Sequence, residues 1–200
     1  MSAVAEAIVR EYFELHGFFV RQGRKYLAPA KREDDQVDFS IFNPRCDRTT
    51  TNEFILGSAD LKNVCKAIVV IKAWHTETFS PAVLTHAPEI FRFVDPAVFK
   101  QAARAFGEDG SLLKILVVPA LPLSSQARNQ SIDLLRSKGV DAVLPFRTML
   151  LDLIDRTEVN RNYQKSDLLQ IIRILKNYEL LRDAQLELFR PRRRKKKSTD

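Results

Sequence analysis

The alternation of apolar and polar positions divides the first part of the chain into one helix and three strands. Residues 3–16 repeat apolar positions at helical spacing, and Gly17 follows them as a helix terminator. Two strand-like runs come next, FFVRQGRKYLAP at 18–29 and QVDFSIFNP at 36–44. The run KAIVVIKAW at 66–74 is almost continuously apolar, which is typical of a strand buried on both faces.

The second part of the chain alternates helices with strands. Helices are predicted over residues 80–107, with breaks at Pro88 and Pro96. The remaining runs are a strand at 112–120, a helix at 125–139, a strand at 140–146, and helices at 147–158 and 166–189. The order α-β-β-β-α-β-α-β-α-α starts with antiparallel neighbours and continues with crossovers. It therefore predicts an α/β fold with a mixed sheet flanked by helices.

The net charge of +7 comes mostly from the end of the chain. Residues 190–200, RPRRRKKKSTD, carry seven basic groups and one acid, so the other 189 residues have a net charge of only +1. The basic run is interpreted as a nucleic-acid-binding arm, a nuclear import signal or a solvated extension. The whole chain, at 45% hydrophobic and 28% charged, has the composition of a globular protein.

Membrane and secretory features are not expected. No apolar run is long enough to span a bilayer, and the first residues do not have the pattern of a signal peptide. Cys46 and Cys65 are too few for a disulfide framework or a zinc site, so we expect reduced thiols. The expected location is cytoplasmic, or nuclear in a eukaryote because of the basic tail.

Asp38 and Lys72 stand in apolar runs, where a charge is costly unless it is paired, ligated or at a wet edge. Asp38 belongs to QVDF and Lys72 to VVIK, while Glu6 precedes Gly17 by eleven residues. In this order of elements, these pieces resemble the restriction-endonuclease-like (PD-(D/E)xK) nuclease superfamily. In pattern they are most similar to its RecB-type and archaeal Holliday-junction-resolvase-like members. The resemblance covers residues 3–120.

The resemblance implies a domain organisation and an activity. It implies a restriction-endonuclease-like αβββαβ core with a mixed central sheet over residues 1–145. The sequence pattern adds C-terminal helices over 146–189 and a disordered basic tail over 190–200. The implied function is that of a metal-dependent DNA endonuclease, a deoxyribonuclease that hydrolyses phosphodiester bonds with Mg²⁺ or Mn²⁺.

The resemblance also implies roles for individual residues. Asp38, Glu6 and the carbonyl of Ile71 would hold the metal, and Asp38, Lys72 and Glu6 would form the catalytic set. Lys72 would orient or activate the attacking water and stabilise developing charge. Residues two apart on a strand share a face, so the family's acid-x-lysine spacing places both side chains together.

This chain departs from the family pattern at Val70, where the pattern has the second strand carboxylate. Four interpretations stay open. Glu6 and Asp38 suffice as ligands, or another acid such as Asp60 or Glu77 replaces the missing one. A third interpretation is a catalytically inactive module that binds DNA or a protein partner in a larger assembly. In the fourth, the charged pair is a structural ion pair in an unrelated α/β domain.

Candidate nucleic-acid contacts lie in the first strand segment, after Lys72 and in the tail: Arg21, Arg24, Lys25, Trp74, His75, Arg192, Arg193, Arg194, Lys195 and Lys196. The alternatives are a solvated strand face for the basic residues, an aromatic core residue for Trp74 and a capping role for His75. The expected partners are DNA and either a second copy of the chain or a larger nucleic-acid-processing complex, with no membrane.

Overall fold

The structure, a computed structural model, describes residues 3–23, 37–47, 53–72, 75–106 and 112–181. Its strands are β1 (Phe19–Gln22), β2 (Phe39–Phe42), β3 (Lys66–Ile71), β4 (Leu113–Val118) and β5 (Ala142–Pro145). They form one sheet in chain order. β1, β2 and β3 are antiparallel neighbours, and β3, β4 and β5 run parallel.

The helices are α1 (Ala3–Leu15), α2 (Pro81–His86), α3 (Pro96–Ala103), α4 (Ser125–Ser137), α5 (Phe146–Arg156) and α6 (Asp167–Asn177). Short 3-10 helices span Ser58–Asn63, Pro88–Val94 and Arg104–Phe106. The predicted α/β class and mixed sheet are confirmed. Proline begins α2, α3 and the 3-10 helix between them, because its fixed φ suits the first helical turn and its missing N–H is not needed there.

The chain divides into two compact units, Met1–Asp152 and Leu153–Asp200. The first contains the whole sheet, and the second contains α6. The predicted boundaries at residues 145 and 189 stay predictions. None of the helices within the described residues is long and apolar enough to cross a membrane.

The predicted continuous helix over 166–189 is wrong at its end, because α6 stops at Asn177. The N–H of Leu180 donates to the carbonyl of Leu175, and the N–H of Glu179 donates to that of Lys176. Glu179 has a positive φ of 55°. These bonds form a Schellman motif, which turns the chain away from the helix axis. Glycine usually occupies this position, so a glutamate there gave no signal in the sequence.

The central strand β3 is buried on both faces, as its apolar run predicts. Successive side chains of a strand point to opposite faces of the sheet. Ile68 and Val70 belong to one apolar cluster with residues that follow β3 along the chain, among them Phe79, Leu84, Ile90, Phe91, Phe93 and Leu135. On the other face Val69 is opposite Phe39, and the guanidinium of Arg10 in α1 lies 6.0 Å from the centre of the Phe39 ring.

Cys46 and Cys65 form a disulfide, so the expectation of reduced thiols is not met. The bond lies beyond the end of β2, where the N–H of Asn43 donates to the carbonyl of Cys65 and the N–H of Asp47 donates to that of Lys62. These bonds extend the contact between the two chain segments and bring the Cα atoms of the cysteines to 5.0 Å. The cysteines are 19 residues apart in sequence; the β2–β3 register places Cys65 opposite Asn43, and the turn at residues 44–45 brings Cys46 to it.

The disulfide should stabilise the fold by restricting the unfolded chain. We expect Cys46→Ser/Cys65→Ser to lower the free energy of unfolding by about 3 kcal/mol, the loop-closure value for a ring of this size. Urea denaturation of the wild type and the double variant measures this difference. With a thiol reductant present, the two proteins should have the same stability. Equal stabilities in oxidising buffer would contradict a stabilising disulfide.

Candidate functional site

Asp38 lies directly before β2, at the point where the β2–β3 ladder ends. Its main-chain N–H donates to the carbonyl of Val69 at 3.1 Å, and its Oδ2 accepts the N–H of Ile71 at 2.7 Å. The carboxylate therefore takes the place of a main-chain acceptor on the strand beside Ile71. Asp38 is 6% exposed, and a buried carboxylate needs such a donor to offset its lost hydration.

Gly23 fixes the main chain of Asp38 from the other side. The N–H of Gly23 donates to the carbonyl of Asp38 at 3.0 Å. A Cβ atom at position 23 would lie 2.8 Å from the carbonyl oxygen of Val37, which is closer than carbon and oxygen tolerate. Glycine is therefore required where β1 approaches the segment that carries Asp38.

Lys72 lies one residue beyond β3, and its main-chain N–H donates to the carbonyl of Val117 at 3.0 Å. Burial lowers the pKa of its amine, and the charge of Arg92 lowers that pKa further. The negative charges of Asp38 and Glu89 act in the opposite direction and raise it. The structure thus brings Asp38 and Lys72 within electrostatic reach of each other, and each flanks its strand rather than lying in it.

Ile71 lies between the two charged groups. Its N–H points towards Asp38, and the N–H and C=O of one strand residue point to the same side of the strand. The Ile71 carbonyl is therefore directed to the side of β3 on which Asp38 lies. Its predicted role as a metal ligand stays a prediction.

Val70 is part of the apolar core and is 2% exposed. Its neighbours in the cluster include Ile68 on the same strand, Leu116 on β4 and aromatic rings from the 3-10 helix Pro88–Val94. An ionised carboxylate at this position would have no water and only apolar neighbours in that cluster. Packing thus accounts for an apolar residue at the position where the family pattern has an acid.

Glu6 lies on the α1 side of the sheet. Its carboxylate accepts a hydrogen bond from Gln22 Nε2 at 2.6 Å, and Gln22 Oε1 accepts one from Arg10. Gln22 is opposite Phe39, whose ring faces Arg10, so all of these groups share one face. Alternation along β3 directs Lys72 to the other face, together with Val70. The structure therefore does not group Glu6 with Lys72, and the catalytic role of Glu6 stays a prediction.

Asp60 and Glu77 are the two acids considered as replacements for the one that is missing at position 70, and they lie in different parts of the structure. Asp60 Oδ2 accepts the N–H of Gly57 at 2.7 Å and caps the 3-10 helix Ser58–Asn63. Glu77 lies on the rim of a cleft of about 650 Å³ beside the end of β3. The described residues that line this cleft are His75, Thr76, Glu77, Val83, His86, Ala87 and Glu89.

Glu89 and Arg92 are the residues that sequence reasoning missed. Glu89 lines the cleft and its charge acts on Lys72, so it connects the cleft to the charged pair. Both residues lie in the 3-10 helix Pro88–Val94, three positions apart. The available signal was two charges in the run PEIFRFV between two prolines, but nothing in that pattern indicated that the run returns to the end of β3.

The predicted nucleic-acid contacts fall into two groups. Arg21 is exposed in β1 opposite Ser40, on the face that alternation also assigns to Val70. His75 is exposed on the cleft, and its ring lies edge-on to Phe146 at 4.7 Å. The others, Arg24, Lys25, Trp74, Arg192, Arg193, Arg194, Lys195 and Lys196, lie outside the described residues.

No protein-family model, curated protein or solved structure matches this chain. The geometry of the site is therefore the basis for a functional inference.

The charge of Asp38 should control the titration of Lys72. We expect Asp38→Asn to lower the pKa of Lys72 further, because it removes the first of the two negative charges that raise it. NMR titration of the Lys72 side-chain nitrogen measures the change. Glu89→Gln should act in the same direction, whereas Asp133→Asn, at an exposed position on α4, should leave the titration unchanged. A rise in the Lys72 pKa in Asp38→Asn would contradict the arrangement.

The same shift sets a pH dependence of stability. Between the lowered pKa of Lys72 and the ordinary pKa of lysine, the unfolded chain binds more protons than the folded one. The contribution of Lys72 to the free energy of unfolding therefore increases with pH through this window. Asp38→Asn should extend the window to lower pH, which urea denaturation at a series of pH values would show.

An acid at position 70 should disrupt the core. We expect Val70→Asp to lower the free energy of unfolding by more than about 3 kcal/mol, because it places an unpaired carboxylate among apolar side chains. Val4→Asp, at a position that is 64% exposed, is the control and should change stability by no more than about 0.5 kcal/mol. A stable Val70→Asp protein would show that position 70 can reach solvent.

Proposed function

We propose that the protein is a metal-dependent DNA endonuclease of the restriction-endonuclease-like type. The observation that carries the proposal is the convergence of Asp38, Ile71 and Lys72 where β2 and β3 part. A carboxylate, a backbone carbonyl and an amine at one strand end are the groups that phosphodiester hydrolysis requires. The antiparallel start of the sheet and its parallel continuation support the same family.

The donors at this site suit a hard cation. Mg²⁺ and Mn²⁺ prefer oxygen ligands, and Mg²⁺ often binds through one or two carboxylates together with waters and substrate phosphates. The Asp38 carboxylate and the Ile71 carbonyl would hold the ion. When bound, it supplies charge neutralisation at the phosphate and a lower pKa for a coordinated water. Among the described residues, no group of three His, Cys, Asp or Glu side chains is arranged to hold a metal, so the protein would supply few of the ligands.

Lys72 contributes through its shifted pKa. An amine with a lowered pKa loses its proton more easily than an ordinary lysine, so it serves proton transfer nearer to neutral pH. In its charged form it donates to a phosphate oxygen as negative charge develops there. The charges of Asp38 and Glu89 limit the shift. Glu89 also lines the cleft, which would receive the DNA backbone.

A second candidate is a catalytically inactive nuclease-like module that binds DNA or a protein partner. The packing of Val70 favours it, because the core excludes the second strand carboxylate. In this candidate, Asp38 and Lys72 are a charged pair at a surface that binds DNA or a protein partner without cleavage. The module would act as a homodimer or as a subunit of a larger nucleic-acid-processing complex, and in the complex another subunit would supply the activity.

Cleavage assays distinguish the two candidates. With Mg²⁺ or Mn²⁺, the wild type should degrade plasmid or branched DNA. Asp38→Ala and Lys72→Ala should each reduce the rate by a factor on the order of 10²–10⁴, the usual contribution of such groups. Asp133→Asn and Lys100→Ala alter exposed residues of the same types on α4 and α3 and should retain full activity.

Two outcomes would contradict the endonuclease. DNA binding without cleavage in either metal would favour the inactive module. Cleavage that survives both substitutions would place the chemistry elsewhere. Thermal denaturation of each variant, measured in parallel, ensures that a loss of activity is not a loss of folding.

A further inference from the structure

A second polar pocket lies at the opposite end of the β2–β3 pair from Asp38 and Lys72. It has a volume of about 200 Å³. The described residues that line it are His16, Phe18, Asn43, Arg45, Ser58, Ala59, Leu61 and Lys62. Asn43 directly follows β2, and the 3-10 helix Ser58–Asn63 precedes β3. Because the two strands are antiparallel, these elements meet at the end of the sheet away from the candidate nuclease site.

The pocket has an excess of positive charge. Arg45 and Lys62 line it, and none of its described lining residues is an aspartate or glutamate. His16 also lines it, but its Nε2 lies 2.8 Å from Asp152 Oδ2, so any charge on the ring is balanced by that carboxylate. Two acids lie near the pocket in sequence: Asp60 accepts the N–H of Gly57, and Asp47, two residues after Arg45, donates its main-chain N–H to the carbonyl of Lys62. A small anion in the pocket would therefore meet two cations, and no carboxylate is among the described residues that line the pocket.

The main chain of Arg45 is fixed by a hydrogen bond and by the disulfide at the next residue. Its main-chain N–H donates to Asn43 Oδ1 at 2.9 Å, and the next residue, Cys46, is bonded to Cys65. Its guanidinium lies beside Gly17, with Nη2 at 3.5 Å from the point that a Cβ there would occupy. Gly17 has a φ of 82°, which favours glycine, so the space beside the guanidinium is kept open by the backbone itself.

Asn43 adds a neutral donor to the pocket. Its side chain is buried, with 7% of the residue exposed. The amide Nδ2 donates one of its two hydrogens to the carbonyl of Leu61 over a long distance of 3.4 Å. Ser58 is also present, with its hydroxyl 3.0 Å from that of Tyr12. The pocket thus combines two cations with a buried amide, a combination that suits an oxyanion.

We propose that this pocket binds a phosphate group through Arg45 and Lys62, with Asn43 as a third donor. A guanidinium matches two phosphate oxygens at once, and a lysine adds a second charge. The volume is below the range of pockets that enclose a drug-sized molecule, so it suits a single group rather than a whole nucleotide. The proposal does not depend on DNA cleavage, because the pocket and the nuclease site lie at opposite strand ends.

A titration with inorganic phosphate at constant ionic strength tests the proposal. Isothermal calorimetry of the wild type should show saturable binding. Lys62→Ala and Arg45→Ala should each weaken binding by roughly tenfold or more, which corresponds to the loss of one charge-assisted contact. Lys100→Ala removes an exposed lysine outside the pocket and should leave the affinity unchanged. Lys62 and Arg45 are both exposed, so neither substitution should affect folding, which thermal denaturation of each variant checks.

A second arm separates two sources of the phosphate group. Oligodeoxynucleotides with and without a 5′-phosphate should differ in affinity if the pocket receives the end of a DNA strand, and Lys62→Ala should abolish the difference. If the two oligonucleotides bind equally while inorganic phosphate still binds, the ligand is a free phosphate or a small phosphorylated molecule. Both results support a phosphate site.

Two results would overturn the proposal. The first is the lack of saturable phosphate binding by the wild type, which would leave Arg45 as a cation that only stabilises the carboxyl end of α1. The second is an equal loss of affinity in Lys62→Ala and Lys100→Ala, which would indicate general attraction to a basic surface. Neither result bears on the cleavage assay, so failure here and failure of the endonuclease are separate.

Discussion

The burial of β3 on both faces is the constraint on which the sheet and the candidate site depend. A strand that pairs with β2 on one side and β4 on the other, and packs against apolar side chains above and below, has no position for a charge after its first residue, Lys66, whose amine donates to the carbonyl of Phe106. Towards the carboxyl end, the first place where a charge is tolerated is one residue past Ile71, which is where Lys72 lies. Asp38 meets the same limit from the neighbouring strand, and its carboxylate bonds to Ile71 where main-chain pairing stops. The same constraint accounts for the charged pair and for Val70.

Much of the fold could be predicted from the sequence, because apolar periodicity and proline positions are local signals. The order of elements and the antiparallel start follow from patterns within single segments, whereas only the family resemblance predicts the proximity of Asp38 to Lys72. Features that depend on how distant segments meet could not be predicted. The Cys46–Cys65 bond requires the β2–β3 register, and the influence of Glu89 on Lys72 requires the path of the chain after β3. The end of α6 was missed for a different reason, since a glutamate occupies the turn that glycine usually marks.

The charges of Asp38 and Glu89 both act on the amine of Lys72. Burial disfavours the charged amine, and the two acids restore part of its affinity for the proton. Such a balance is useful for catalysis, yet it also arises where a fold only tolerates a charge at a strand end. The distinction between an enzyme and a binding module therefore depends on whether an added cation can enter between Asp38 and the Ile71 carbonyl. The lowered pKa of Lys72 favours a catalytic role, whereas the apolar packing of Val70 favours a module without catalysis.

The disulfide makes the connection between β2 and β3 a closed covalent ring. A backbone cut by a protease anywhere between Cys46 and Cys65 would leave the two strands attached to each other through sulfur. Such a cut would release neither strand from the sheet, although the segment also holds the buried side chains of Phe54, Leu56 and Leu61. Arg45, which lies just outside that ring, would keep its attachment to β2 in a nicked molecule. Because of the disulfide, β2 and β3 would stay linked even if the chain between them were cut.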